Sequence, residues 1–260
     1  MSELNRLSAT EAAVKLARRE ITAQALLADC MARIREREPA VHAFTHVDFD
    51  GAMARARALD AQPSDGLLHG LPIGVKDVFD TVDMPTEYGS AVYPGHRPAS
   101  DAASVALARA AGAIVLGKTV TTEFATFHPG ATRNPHDPSR TPGGSSSGSA
   151  AAVADAMVPL AFGTQTAGSI VRPAAYCGVV GYKPTYGTVS RVGVKMISDT
   201  LDTIGGFARS VPDVALFVAA LSGRHDLVID APTREAPRIG LCRTYEWDRV
   251  QPETVALFES

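Results

Sequence analysis

TPGGSSSGSAAAVADAMVPLAFGTQTAGSIVRPAAYCGVVGYKPT, residues 141–185, holds two loops of small residues, GGSSSGS (143–149) and GTQTAGS (163–169), joined by a short apolar link. The link has local structure of its own. Residues 147–155 are Ala-rich and suit a helix, 158–162 form an apolar strand run, and a second helix is expected after Ser169. Helix, strand and helix in such close order point to α/β architecture with a buried sheet. The flanking loops suit chemistry better than packing. Glycine permits close backbone approaches that other residues forbid. Each loop also offers hydroxyls, so backbone N–H groups and serine oxygens can converge on one small reactive group.

Upstream, the same alternation continues. Residues 71–79 (LPIGVKDVF) form an apolar run around a single lysine and read as a buried strand. An Ala-rich helix over 100–111 ends at Gly112 and feeds a strand at 113–116. The first sixty residues read as a helical arm. Ser8 and Glu11 have capping-box spacing, residues 22–37 carry Ala25, Leu26, Cys30 and Ile34 at helical period, and a third helix is expected over 49–59. Residues 61–260 form the α/β core in this reading, the whole being one domain. Near the end, 238–242 resembles a strand, and Pro252 with Glu253 opens an amphipathic helix. The chain stops soon afterwards at Ser260, which suggests the N-terminal part of a longer protein.

Bulk properties narrow the function. With 260 residues and 45% hydrophobic content the chain can bury one sizeable core. A net charge of −3 argues against a non-specific nucleic-acid or anionic membrane surface. Three widely spaced cysteines (Cys30, Cys177, Cys242) suit reduced thiols and show no metal spacing. No leader pattern or apolar run of membrane-spanning length is evident, and a cytoplasmic protein is expected.

Two motifs mislead. Residues 112–119 (GAIVLGKT) satisfy the phosphate-loop pattern letter for letter, but their middle is a strand that follows a helix, the reverse of what a phosphate cradle needs. Residues 144–148 (GSSSG) fit the nucleophile-elbow pattern without the preceding strand, since NPHDPSRTPGG (134–144) is broken by prolines. Only His225 follows to act as a base, in a polar segment. A serine nucleophile here therefore needs a different base. Lysine serves when it is neutral, and burial favours the neutral form. Lys76 is the best candidate, and the residues alone leave two readings for it: a neutral base, or a cation that snorkels from the strand end or is salt-bridged to Asp77.

TPGGSSSGSAAAVA, GTQTAGSIVRPAAYCGVVGYKPTYG and GLPIGVKD resemble the glycine/serine-rich core of the amidase signature family. GKTVTTEFA, TRNPHDPSRTPGGSSSGS and SRVGVKMISDTLDTIG resemble its flanks, so the similarity runs in order from about residue 67 to 209. The resemblance implies a mixed β-sheet surrounded by helices, no cofactor or metal, and a Ser–Ser–Lys triad. Ser169 matches the nucleophile, Ser145 the bridging serine behind a cis peptide, and Lys76 the base. Backbone N–H groups of Thr166, Ala167, Gly168 and Ser169 match the oxyanion hole, Ala167 standing where the family commonly has glycine. Ser146 is expected to support the network. Arg172 resembles the arginine of a malonamidase-like branch that meets a substrate carboxylate; a structural salt bridge is its alternative role.

The expected activity is hydrolysis of a small linear amide to a carboxylate plus ammonia or an amine, through an acyl-enzyme, with a homodimer possible. A second reading is the A subunit of a glutamine-dependent tRNA amidotransferase, although that polypeptide usually carries MDEFAMG-like residues where this chain has TTEFATF (121–127). A third is a non-catalytic fragment.

Overall fold

Ser8 and Glu11 satisfy each other's free N–H groups at 3.1 and 3.0 Å and start helix α1, Ala9–Ala17. Thr22 caps α2, Ala23–Val41, by accepting the N–H of Ala25. This helix runs past its expected end at 37 and carries Pro39 in its last turn. Fully buried Val41 belongs to the core, and packing there outweighs the donor that proline lacks. The Glu38 carboxylate then accepts the N–H groups of Ala43 and Phe44, turning the chain into strand β1, Phe44–Val47. The arm expected to be helical therefore contains a strand. Four residues between two helices carry no legible period-2 signal, and the partner strand lies some seventy residues away. Helix α3 covers Phe49–Asp60, capped by Asp48.

In this computed structural model, which describes residues 3–229, 236–238 and 240–260, the remaining strands are β2 (Pro72–Lys76), β3 (Ile114–Thr119), β4 (Leu160–Gln165), β5 (Val180–Tyr182) and β6 (Thr203–Ala208). The helices between and after them are α4 (Ala103–Ala110), α5 (Ser147–Ala154), α6 (Val171–Cys177), α7 (Val211–Ser222) and α8 (Pro252–Glu259). The strands form one mixed six-stranded sheet in the order β1-β3-β2-β4-β6-β5. β2 runs parallel to β3 and to β4; the other pairings are antiparallel.

The register between β2 and β3 slips once. Ile73 pairs with Val115 but Gly74 pairs with Gly117, so Leu116 is an extra residue on β3. Beyond it Val75 lies beside Lys118, and Lys76 beside Thr119. Alternation of the pleat therefore turns Lys118 to one side of the sheet and Lys76 to the other. On the Lys76 side, Thr119 meets Ser149 of α5 at 2.7 Å between hydroxyls. On the opposite side Phe217 of α7 packs edge-on against Phe162, centroids 4.9 Å apart, and Gly206 leaves it room. Helices thus cover both faces of an α/β sheet whose central strands are buried throughout.

The chain divides into two compact units after Ile229. The second contains α8, with Trp247 edge-on to Phe258 and Arg243 paired with Glu259. Of the strand expected at 238–242, the described residues 238 and 240–242 are irregular, and Ile239 lies outside the described residues. No described helix is long and apolar enough to cross a membrane.

Candidate active site

β2 carries Lys76 at its last position, fully buried. Its Nζ lies 2.8 Å from Ser145 Oγ and 2.7 Å from Thr164 Oγ1, two uncharged partners. Burial lowers its pKa to about 7, and Asp202 acts in the opposite direction. The salt bridge to Asp77 does not form. Asp77 turns the other way and pairs at 3.3 Å with Lys118, which is equally buried. Lys118 also donates to Phe79 O (2.8 Å) and Thr86 Oγ1 (2.5 Å), while Asp77 accepts the N–H groups of Glu87 and Gly89. The lysine of the phosphate-loop pattern is therefore the cation of a buried ion pair inside β3.

Ser145 is delivered by the irregular segment 134–146. That segment is moored to the carbonyl end of α6: Asn134 Nδ2 donates to Tyr176 O at 2.8 Å, and His136 Nε2 lies 2.9 Å from Cys177 O. The Cys177 thiol contacts Pro142 O at 3.5 Å. Gly143 takes a left-handed φ of 76°, and the Gly144–Ser145 peptide is cis. Ser146 is fully buried and bridges the backbone of Thr164, donating to its carbonyl (3.3 Å) and accepting its N–H (3.4 Å). Ser145 and Ser146 are thus tied to the same strand end that holds Lys76.

The second loop is shaped from beneath by side chains that no sequence motif singles out. Gln165 Oε1 accepts the N–H groups of Ile170 (2.9 Å) and Val171 (3.0 Å), and its Nε2 donates to Ala167 O (2.9 Å). Thr166 Oγ1 donates to Asp202. With the loop held this way, the N–H groups of Thr166, Ala167, Gly168 and Ser169 have no acceptor among the described residues. The Ser169 hydroxyl is half-buried and makes no hydrogen bond to Ser145 or to any other described residue. The structure therefore joins Lys76 to Ser145 directly and leaves Ser169 unbonded on the neighbouring loop. The motif GTQTAGS contains Gln165 but nothing local marks its role, and Asp202 reaches Thr166 across thirty-six residues.

Arg172 is exposed, has no acidic partner among the described residues, and lies beside Gly168: a Cβ there would sit 3.1 Å from its Nη2. It lines a cavity of about 260 Å³ with Thr122, Phe127, Gly143, Gly144 and Tyr176. The cleft thus offers a guanidinium, two aromatic rings and the backbone leading to Ser145.

Residues 25–260 match the sequence model of the family described as Amidase. The chain belongs to the amidase family. It is 46% identical over 276 aligned positions to the glutamyl-tRNA(Gln) amidotransferase A subunit of Acidothermus cellulolyticus, covering 97% of this chain and 55% of that protein. The protein of the same name from Chloroflexus aurantiacus is 42% identical at similar coverage. Among solved structures, the native peptide amidase of Stenotrophomonas maltophilia superposes with a TM-score of 0.80 at 38% identity, over 88% of this chain and 51% of that one. The glutamyl-tRNA(Gln) amidotransferase A subunit of Thermotoga maritima gives 0.74 at 35% identity, over 90% and 51%. This amidase-family chain spans about half the length of the relatives it matches.

Proposed function

We propose that the protein cleaves the carbon–nitrogen bond of a small, carboxylate-bearing linear amide through an acyl-enzyme on Ser169. The observation that carries this reading is the buried Lys76 amine, 2.8 Å from Ser145 Oγ and in no ion pair with a carboxylate among the described residues. A neutral amine there accepts the proton of Ser145 as Ser145 takes that of Ser169. Ser169 Oγ attacks the amide carbonyl, and the resulting oxyanion meets the free N–H groups of 166–169. The proton returns from Lys76 through Ser145 to the departing nitrogen, the C–N bond breaks, and ammonia or an amine leaves. Water, deprotonated along the same route, then attacks the ester carbon and releases Ser169 and a carboxylate. Ser146 supports the relay by fastening it to β4. Arg172, free of acidic partners among the described residues, would hold the substrate carboxylate in a bidentate pair.

Ammonia release from neutral, aromatic and acid-bearing amides tests the scheme. Ser169→Ala, Ser145→Ala and Lys76→Ala should each abolish most turnover, and near-normal activity in any of them defeats the triad. Arg172→Ala should raise KM for acid-bearing amides and leave neutral ones unchanged; an unaltered preference removes its assignment.

The relatives named as amidotransferase A subunits favour a second reading, release of ammonia from glutamine for a tRNA-bound acceptor. Glutamine also carries a carboxylate, so Arg172 fits both. Glutamine cleaved in preference to other acid-bearing amides, with a rate that rises when a partner protein is supplied, would favour the second.

A further inference from the structure

A reaction of the kind proposed above needs a loop whose N–H groups stay turned outward and a base that gives up its proton near neutrality. One side chain outside the triad bears on both. Asp202 is buried just ahead of β6. Its Oδ1 accepts the Thr166 hydroxyl, and its Oδ2 accepts the N–H groups of Ile197 (2.6 Å) and Ser198 (3.0 Å). The carboxylate thus gathers the turn at 197–202 and ties it to the first residue of the 166–169 loop. Gln165 fastens the far end of that loop through Ala167, Ile170 and Val171. Thr166 to Ser169 is suspended between two anchors.

We propose that Asp202 is a positioning residue with two duties, anchoring the loop that would carry the oxyanion donors and placing a negative charge at the end of the sheet that holds Lys76. The inference rests on the amidase reading of Lys76 and Ser169. Its charge half follows from the setting of the amine. Lys76 is bonded to two neutral hydroxyls, and burial alone drives it toward the uncharged form. Asp202 directly precedes Thr203, which pairs with Gln165 next to Thr164, the residue bonded to the amine, so its carboxylate sits at the same end of the sheet and opposes that trend. The other charged groups near this end of the sheet are otherwise engaged. Asp77 and Lys118 lie on the opposite side and neutralise each other. Arg191 spends its guanidinium on the carbonyls of Asp199 and Asp202 and on the Tyr186 hydroxyl; Arg172, over Gly168, is the exception, unpaired among the described residues but exposed so that solvent screens its charge. Asp202 therefore keeps the base from becoming too weak, while the same atoms hold the loop.

Two variants separate the duties. Asp202→Asn removes the charge and weakens the acceptor contacts; Thr166→Val cuts the tether and leaves the charge. Two readouts are followed on the whole chain. Titration of the Lys76 amine by NMR with ζ-15N-labelled lysine needs no turnover, and the pH profile of Ser169 acylation by a fluorophosphonate reports reactivity. In Asp202→Asn the Lys76 titration and the acid limb of acylation should both move to lower pH. In Thr166→Val acylation should slow by about tenfold or more with both midpoints unmoved. An unchanged Lys76 midpoint in Asp202→Asn overturns the electrostatic duty, and wild-type acylation in Thr166→Val overturns the anchoring duty. Should Asp202→Asn fail to fold by circular dichroism, Asp202→Glu, which keeps the charge, must hold the wild-type midpoint while acylation slows. Wild-type chain that is folded but never labelled at Ser169 refutes the acyl-enzyme reading, and the NMR titration then still decides the charge.

Discussion

The side chain of Lys76 is buried as completely as any leucine in the core, yet it ends in an amine. Its ordinary pKa of 10.5 falls to about 7, so at neutral pH the folded chain holds it near half-protonated. Catalysis through the neutral amine should rise with pH, with a midpoint near 7 in kcat/KM; a flat profile from pH 5 to 9 would rule out Lys76 as the base. The same shift bears on stability. The unfolded chain keeps this proton up to about pH 10.5 and the folded chain only to about 7, so between those values the unfolded state binds more protons. Lowering the pH through that window favours unfolding by roughly 5 kcal/mol, and below it the penalty is constant. Lys76→Met removes the penalty. In urea titrations its stability relative to wild type should therefore be greatest at pH 7 and below, and decline toward pH 10. A difference independent of pH would show that Lys76 is not held neutral.

Helix α5 starts immediately after the two buried serines, and its placement depends on one missing methyl. A Cβ on Gly148 would come within 2.1 Å of Ala43 O and 2.4 Å of Val120 N, backbone atoms just before β1 and just after β3 where the two strands pair. Gly148→Ala should cost about 3 kcal/mol in chemical denaturation and also reduce turnover, because displacing α5 drags Ser145 with it. At the far end of α5, Asp155 receives Arg33 and Arg37 of α2. Asp155→Ala strands two partly buried guanidinium groups and should destabilise by about 2–3 kcal/mol without altering the pH midpoint of activity. These elements differ in how far the sequence foretold them. β2, β3, α5, β4 and α6 were legible because each carries its own period and its own glycine or proline punctuation. β1 was not, since four residues with a distant partner give no local signal. The site divides in the same way. Lys76, Ser145, Ser146 and Ser169 stand in recognisable motifs, whereas Thr164, Gln165 and Asp202 matter through contacts that only the folded sheet creates.

At the scale of the whole molecule, the buried hydrophobic cluster lies, among the described residues, before residue 229. A chain ending at Ile229 should therefore retain its cooperative thermal transition, with Tm within about five degrees of the 260-residue chain; a broad or absent transition would show that the second unit is needed for folding. The charges inside that cluster obey a simple parity. Counting along β2 and β3, Lys76 and Lys118 point to opposite sides only because Leu116 is left out of the pairing. Were Leu116 paired with Gly74, the unbroken register would set Lys76 directly beside Lys118, two amines on one face with Asp77 turned to the other. One would have to lose its proton for lack of room, and which one would be left to chance. The bulge removes the ambiguity before any side chain is placed. It pairs one lysine with a buried carboxylate and leaves the other among uncharged hydroxyls, a division of labour encoded by an odd number of residues rather than by the identity of any of them.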